Sequence, residues 1–185
     1  MGGDIWGAIG VSRKMKRHRD DLFAGTARPA GQEPHELLRA ICAYVTESGG
    51  REVRLMLEPF PPDTVSGLWL DLGDHEVIAV EKNTLPFHQM VILGHELWHR
   101  KEGRCGKSGS PAGGAAAARM LGDGWTLAEA CAHVAARTDH SVAEERRAEE
   151  FGRLLAAKFR PFLIGARGGT SQGDAAGRIW ASLAG

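Results

Sequence analysis

The chain has 185 residues, 43% of them apolar and 6% aromatic, and its 23 Lys+Arg balance its 23 Asp+Glu. That length suits one domain with tails and is ample for a buried core, and the composition excludes collagen-like, fibrous and wholly disordered classes. Zero net charge argues against a surface devoted to nucleic acid or an anionic membrane, and no apolar run approaches the roughly 20 residues of a spanning helix.

Residues 1–33 read as a flexible basic leader. The cations Arg13, Lys14, Lys16, Arg17 and Arg19 follow a short apolar patch, the wrong order for a secretory signal. Trp6 stands where a myristoylation site needs Ser or Thr. With no interleaved aromatics, the cluster reads as a solvated tail rather than a nucleic-acid contact. The cysteines, Cys42, Cys105 and Cys131, are odd in number and lack a CxxC, a pattern of reduced thiols in a cytoplasm.

Beyond the leader, Leu37, Leu38, Ile41 and Val45 repeat at helical spacing until Gly49-Gly50 stops them. REVRLMLEPF alternates as a strand, with Val53, Leu55 and Leu57 on one face, and Pro61-Pro62 breaks it. SGLWLDL and HEVIAVEK are two further strands joined by a Gly73-Asp74 hairpin turn. As a sheet edge, HEVIAVEK would offer a peptide a place to add as an extra strand. Asn83, Thr84 and Pro86 open a helix through FHQMVILGHELWHRK. Residues 103–118 form a Gly/Ala-rich flexible insertion. Its Gly106-Lys107-Ser108 lacks the first glycine of a phosphate loop, since Lys101 stands there.

Two capping boxes follow, Thr126 with Glu129 and Ser141 with Glu144. They begin a helix to Ala136 and a longer one over AEERRAEEFGRLLAAKF, which Pro161 ends. A tail over 161–185 carries a short helix around Gly177–Leu183. The order of elements predicts an α+β domain over 34–160, with a small three-stranded antiparallel sheet and helices on one side.

The chemistry is concentrated in His95-Glu96-Leu97-Trp98-His99, an HExxH. On a helix, positions i and i+4 share a face, so two imidazoles there can ligate one Zn²⁺. Zinc acidifies a water to a pKa of about 7, and Glu96, at the edge of that face, can take its proton as it attacks a carbonyl. Met90, Val91, Ile92, Leu93, Leu97 and Trp98 make this helix apolar nearly all round and hence buried. Two histidines and a glutamate are costly there unless a metal compensates them.

A third ligand is needed. Cys105 stands where an extended HExxHxxGxxH motif places its last histidine, but Gly103 marks a helix exit before it. The helix after Ser141 is the better source. Glu144 is the more central on its apolar face, yet the capping box accounts for it. Glu145 has no such local explanation, which favours it and leaves Glu144 in reserve.

At these residues the chain resembles the ImmA/IrrE-like metallopeptidase family. The matching pieces are His95-Glu96-Leu97-Trp98-His99 and the run Glu145-Arg-Arg-Ala148-Glu-Glu-Phe151-Gly-Arg-Leu154-Leu155. The resemblance implies a zincin-like domain with zinc on His95, His99 and Glu145 and with Glu96 as catalytic acid/base. The stretch SGLWLDLGDHEVIAVEKNTLPFHQMVILGHE is similar to an actinobacterial branch often labelled the toxin component of toxin–antitoxin pairs. It implies a peptide or protein substrate such as a helix-turn-helix, DNA-binding repressor, and no membrane or direct nucleic-acid binding. The chain departs from the family at Trp98, where glycine is usual, at Gly152, where alanine is usual, in a longer stretch between His99 and Glu145, and in lacking a proline after the paired leucines.

Other side chains are candidates for supporting roles. His88, two turns before His95, can orient substrate, and His133 or His140 can stabilise an oxyanion. Trp69, Trp98 and Trp125 read as core or loop anchors. Besides a peptidase, the pattern allows a metal-containing regulatory protein that sequesters a repressor without cutting it, or a zinc hydrolase of a small amide or peptide metabolite.

Overall fold

Residues 4–28, 32–60, 62, 65–102 and 141–164 are described by the computed structural model. They form helices α1 (Asp4–Gly25) and α2 (Pro34–Gly49), strands β1 (Val53–Glu58), β2 (Gly67–Asp71) and β3 (Glu76–Glu81), and helices α3 (Pro86–Glu102) and α4 (Val142–Ile164). None of these helices is long and apolar enough to cross a membrane. The insertion at 103–118, Cys105, Trp125, the helix through Ala136, His133, His140 and the tail beyond 164 lie outside the described residues.

Local chemistry sets most boundaries where the sequence places them. Gly50 takes the left-handed conformation (φ 70°) and its N–H closes onto the Thr46 carbonyl, ending α2. Gly73 (φ 94°) makes the β2–β3 turn, with its N–H held by Asp71. Ser141 and Glu144 form their reciprocal cap: the Ser141 N–H donates to Glu144 Oε2 at 3.1 Å and the Glu144 N–H to Ser141 Oγ at 3.3 Å. Pro161 does not end α4, which runs on to Ile164. Leu163 is buried in the core and Phe162 packs on it, so their burial outweighs the lost hydrogen bond.

The α+β class holds, and the sheet is mixed rather than wholly antiparallel. Its order is β1-β3-β2, with β2 antiparallel to β3 as the hairpin requires and β1 parallel to β3. HEVIAVEK is therefore the central strand and not an edge. Its Val77, Ile78, Ala79 and Val80 are all buried, the continuous apolar run of a strand covered on both faces. The exposed-edge role passes to β2.

Helices lie on one face. Val53, Trp69, Ile78 and Val80 share one core cluster with α1 to α4, while Leu70, Val77 and Ala79 form a separate cluster on the other face. α2 packs on β1, α3 on β2 and β3, and α4 on α3.

The flexible leader expected over 1–33 is corrected across most of its length. It contains α1, whose Met15 and Leu22 bury in the shared core. Met15, His18 and Leu22 recur at helical spacing between the cations, a stripe narrow enough for the charge to hide it.

Candidate metal centre

α3 presents two pairs of residues at i, i+4, turned roughly 100° apart by the helical step. Glu96 and Arg100 face the sheet, and His95 and His99 face α4. The close approach of α4 is made by two glycines. A Cβ on Gly94 would lie 2.8 Å from the Gly152 Cα, and a Cβ on Gly152 would collide with the Val91 carbonyl oxygen. The helices thus touch backbone to backbone at 94/152. Running antiparallel from that point, they bring the first turns of α4 beside the last turns of α3.

Glu145 arrives there. Its Oε2 is 3.3 Å from His95 Nε2 and its Oε1 is 3.3 Å from His99 Nε2, and the two imidazole nitrogens are 2.9 Å apart. A tetrahedral zinc with bonds of about 2.0–2.1 Å has ligand–ligand edges of about 3.3–3.4 Å. Two neutral imidazole nitrogens and a carboxylate oxygen at these separations therefore fit a divalent ion with little movement. Among the described residues, His95, His99 and Glu145 are the group of donors that could hold a metal ion.

The electrostatics agree. The imidazoles of His95 and His99 hold the Glu145 carboxyl far below the usual carboxylate range, against a smaller opposing effect of burial. Burial works against charge on His95, yet the Glu145 hydrogen bond and the charges of Glu96, Glu145 and Glu149 outweigh it and raise its pKa. The site draws positive charge toward one point. Glu149, one turn after Glu145, has Oε2 3.8 Å from His95 Nδ1 and is itself held by Arg153 at 2.7 Å. A carboxylate behind a metal-binding histidine orients the ring.

Glu96 lies outside the donor set. It is buried, and burial pushes its carboxyl up, with Glu145 adding to the rise. The charges of His95 and His99 and a hydrogen bond from the Trp69 backbone N–H pull the other way. Gly67 of β2 leaves it room: a Cβ there would stand 3.0 Å from Glu96 Oε1.

The structure thus brings together His95, Glu96, His99 and Glu145. It assigns Glu144 to the cap, resolving the alternative left by the sequence. His88 is exposed near the start of α3 and outside the cluster. Trp69 and Trp98 are buried in the core as expected. The roles of Gly94, Gly152 and Glu149 escape the sequence reading. The signal for the glycines was present, since glycine inside a helix costs about 1 kcal/mol against alanine and implies a close approach.

No protein-family model, curated protein or solved structure matches the chain. The α+β domain, the HExxH helix and the third donor from a packed helix are consistent with a zincin-type metallopeptidase fold.

Proposed function

We propose that the chain is a zinc-dependent metallopeptidase of the ImmA/IrrE type. It hydrolyses a peptide bond in a regulatory protein, such as a helix-turn-helix repressor, in the cytoplasm. The observation that carries this reading is the convergence of His95, His99 and Glu145 at the edge lengths of one coordination tetrahedron, with a fourth, buried carboxylate beside them.

His95, His99 and Glu145 would hold the ion, which supplies an acidified water and a polarised carbonyl. Glu96 is left free of that task. Its raised pKa suits a base that takes the proton of the attacking water and returns it to the amide nitrogen as the C–N bond breaks. The Trp69 N–H fixes one side of its carboxylate, so the free oxygen keeps a defined direction.

The test is Glu96→Gln, which preserves shape and the donor set. Cleavage of a paired repressor should fall about 10²–10⁴-fold, with one zinc per chain retained by elemental analysis. Undiminished repressor inactivation by this variant, without cleavage, would overturn the peptidase reading in favour of a sequestering protein.

A further inference from the structure

A second polar cluster lies between α3 and the sheet. Glu76, at the start of β3, is buried. Arg100 donates to it through Nε at 2.7 Å and Nη2 at 3.1 Å, and Trp69 donates through Nε1 at 2.7 Å. Arg51 Nε stands 3.2 Å from the same carboxylate and Arg51 also pairs with Asp71. A buried ion pair of this kind gives little net stability over an apolar replacement. Its bidentate geometry fixes orientation instead.

Two of these partners bear on Glu96. Arg100 is four residues after it on the same face of α3, so pinning Arg100 to β3 fixes the rotation of the helix. Trp69 gives its indole N–H to Glu76 and its backbone N–H to Glu96. The strand register makes this possible. Glu81 N–H bonds the Ser66 carbonyl and Leu72 N–H bonds the His75 carbonyl. In an antiparallel ladder, the peptide groups of Ser66, Leu68, Leu70 and Leu72 then face β3, and that of Trp69 faces away, toward α3. Gly67, next along the edge, leaves space for the carboxylate.

We propose that Glu76 is a positioning residue for Glu96: through Trp69 and Arg100 it sets the rotation of α3 on the sheet and holds the Glu96 carboxylate at the β2 edge. Its consequence for turnover rests on the peptidase reading; its consequence for the Trp69–Glu96 bond does not.

The experiment uses the full chain loaded with zinc and compares wild type with Glu76→Gln. Loss of the clamp should speed hydrogen exchange of the Trp69 backbone amide about tenfold relative to the Ile78 amide in the central strand. Turnover should fall about 10–100-fold with KM within about twofold and zinc stoichiometry unchanged. In a Glu96→Gln background, Glu76→Gln should lower turnover no further, because both act through one group. A lower melting temperature with unchanged Trp69 exchange and turnover would overturn the proposal, leaving Glu76 a purely structural ion pair. If Glu96→Gln shows that the chain is not a peptidase, the exchange measurement alone decides. If Glu76→Gln does not fold, Trp69→Phe removes only the indole donor and must speed exchange at amide 69 in the same way; unchanged exchange there overturns the proposal equally.

Discussion

Two interfaces hold α4, and they are built from opposite materials. Against α3 it packs backbone on backbone at Gly94 and Gly152, and the metal centre lies two turns along. Against α1 it packs through side chains. Phe23 tilts onto Phe159 and Phe162 at 5.1 and 6.1 Å, and His18 stacks on Phe151 at 5.3 Å. Lys14 pairs with Glu102 across to α3, and Lys158 lies 3.6 Å from Asp20. A side-chain interface absorbs change by switching rotamers, whereas a backbone interface has nothing to move but the helices themselves. The donor geometry is attached to the interface that cannot adjust.

The strongest way to break that contrast is a single methyl group. Gly152→Ala drives a Cβ into the Val91 carbonyl, so the helices must separate. We expect a loss of about 3 kcal/mol or more in urea unfolding of the zinc-free protein, and weaker zinc binding by titration because Glu145 moves with α4. Gly94→Ala should cost less, since part of its clash is with the Leu155 side chain at 3.2 Å. The matching change at the other interface is Leu22→Ala. It should cost about 2–5 kcal/mol and leave zinc stoichiometry at the wild-type value. Equal zinc loss from both would show that the two interfaces are not separable.

His18 sharpens the comparison through pH. Burial first, then the charges of Lys101, Arg100 and Lys14, push its pKa down to about 4, with Asp21 opposing. The native state thus keeps His18 neutral while the unfolded chain, near the ordinary value of about 6.5, takes up a proton. Stability is unaffected above that value and falls as pH drops from about 6.5 to about 4, by at most roughly 3 kcal/mol. His18→Phe retains an aromatic ring on Phe151 and should remove this share of the acid sensitivity. The check is the difference between the two proteins' unfolding free energies at pH 7 and pH 5; parallel losses would sink it.

What the sequence made legible follows from the range of the interactions involved. The HExxH pair is a local statement about one helix, and the hairpin and caps are decided within a few residues by Gly73, Gly50 and Ser141. Choosing Glu145 over Glu144 was also legible, because the cap competes for Glu144 and for no other acid. The parallel β1–β3 ladder is not local: it depends on β2 crossing to the far edge and leaving the most apolar strand in the centre. α1 was hidden because five cations in seven residues outweigh a stripe of Met15, His18 and Leu22 in any average. Glu76 reads as an ordinary strand-end acid until Arg100 and Trp69, 24 and seven residues away in the chain, close on it.

The smallest predicted effect is the most discriminating about α4 itself. Glu144 and Glu145 are chemically identical neighbours with different work: one completes the Ser141 cap, the other reaches across to α3. Glu144→Ala removes an acceptor for a first-turn N–H and a negative charge near the helix N-terminus, worth about 0.5–1 kcal/mol together. It leaves the imidazoles and their carboxylate in place, so the protein should unfold slightly earlier in urea and still bind one zinc. Glu145→Ala removes no cap, but it takes away one of three donors and leaves two imidazole nitrogens 2.9 Å apart with no anion between them. Zinc content should fall below one per chain while the urea midpoint of the metal-free protein shifts little. Were zinc lost with Glu144→Ala and kept with Glu145→Ala, the third donor would be the capping residue. The contact seen from Glu145 would then be a surface ion pair, of the kind that contributes little.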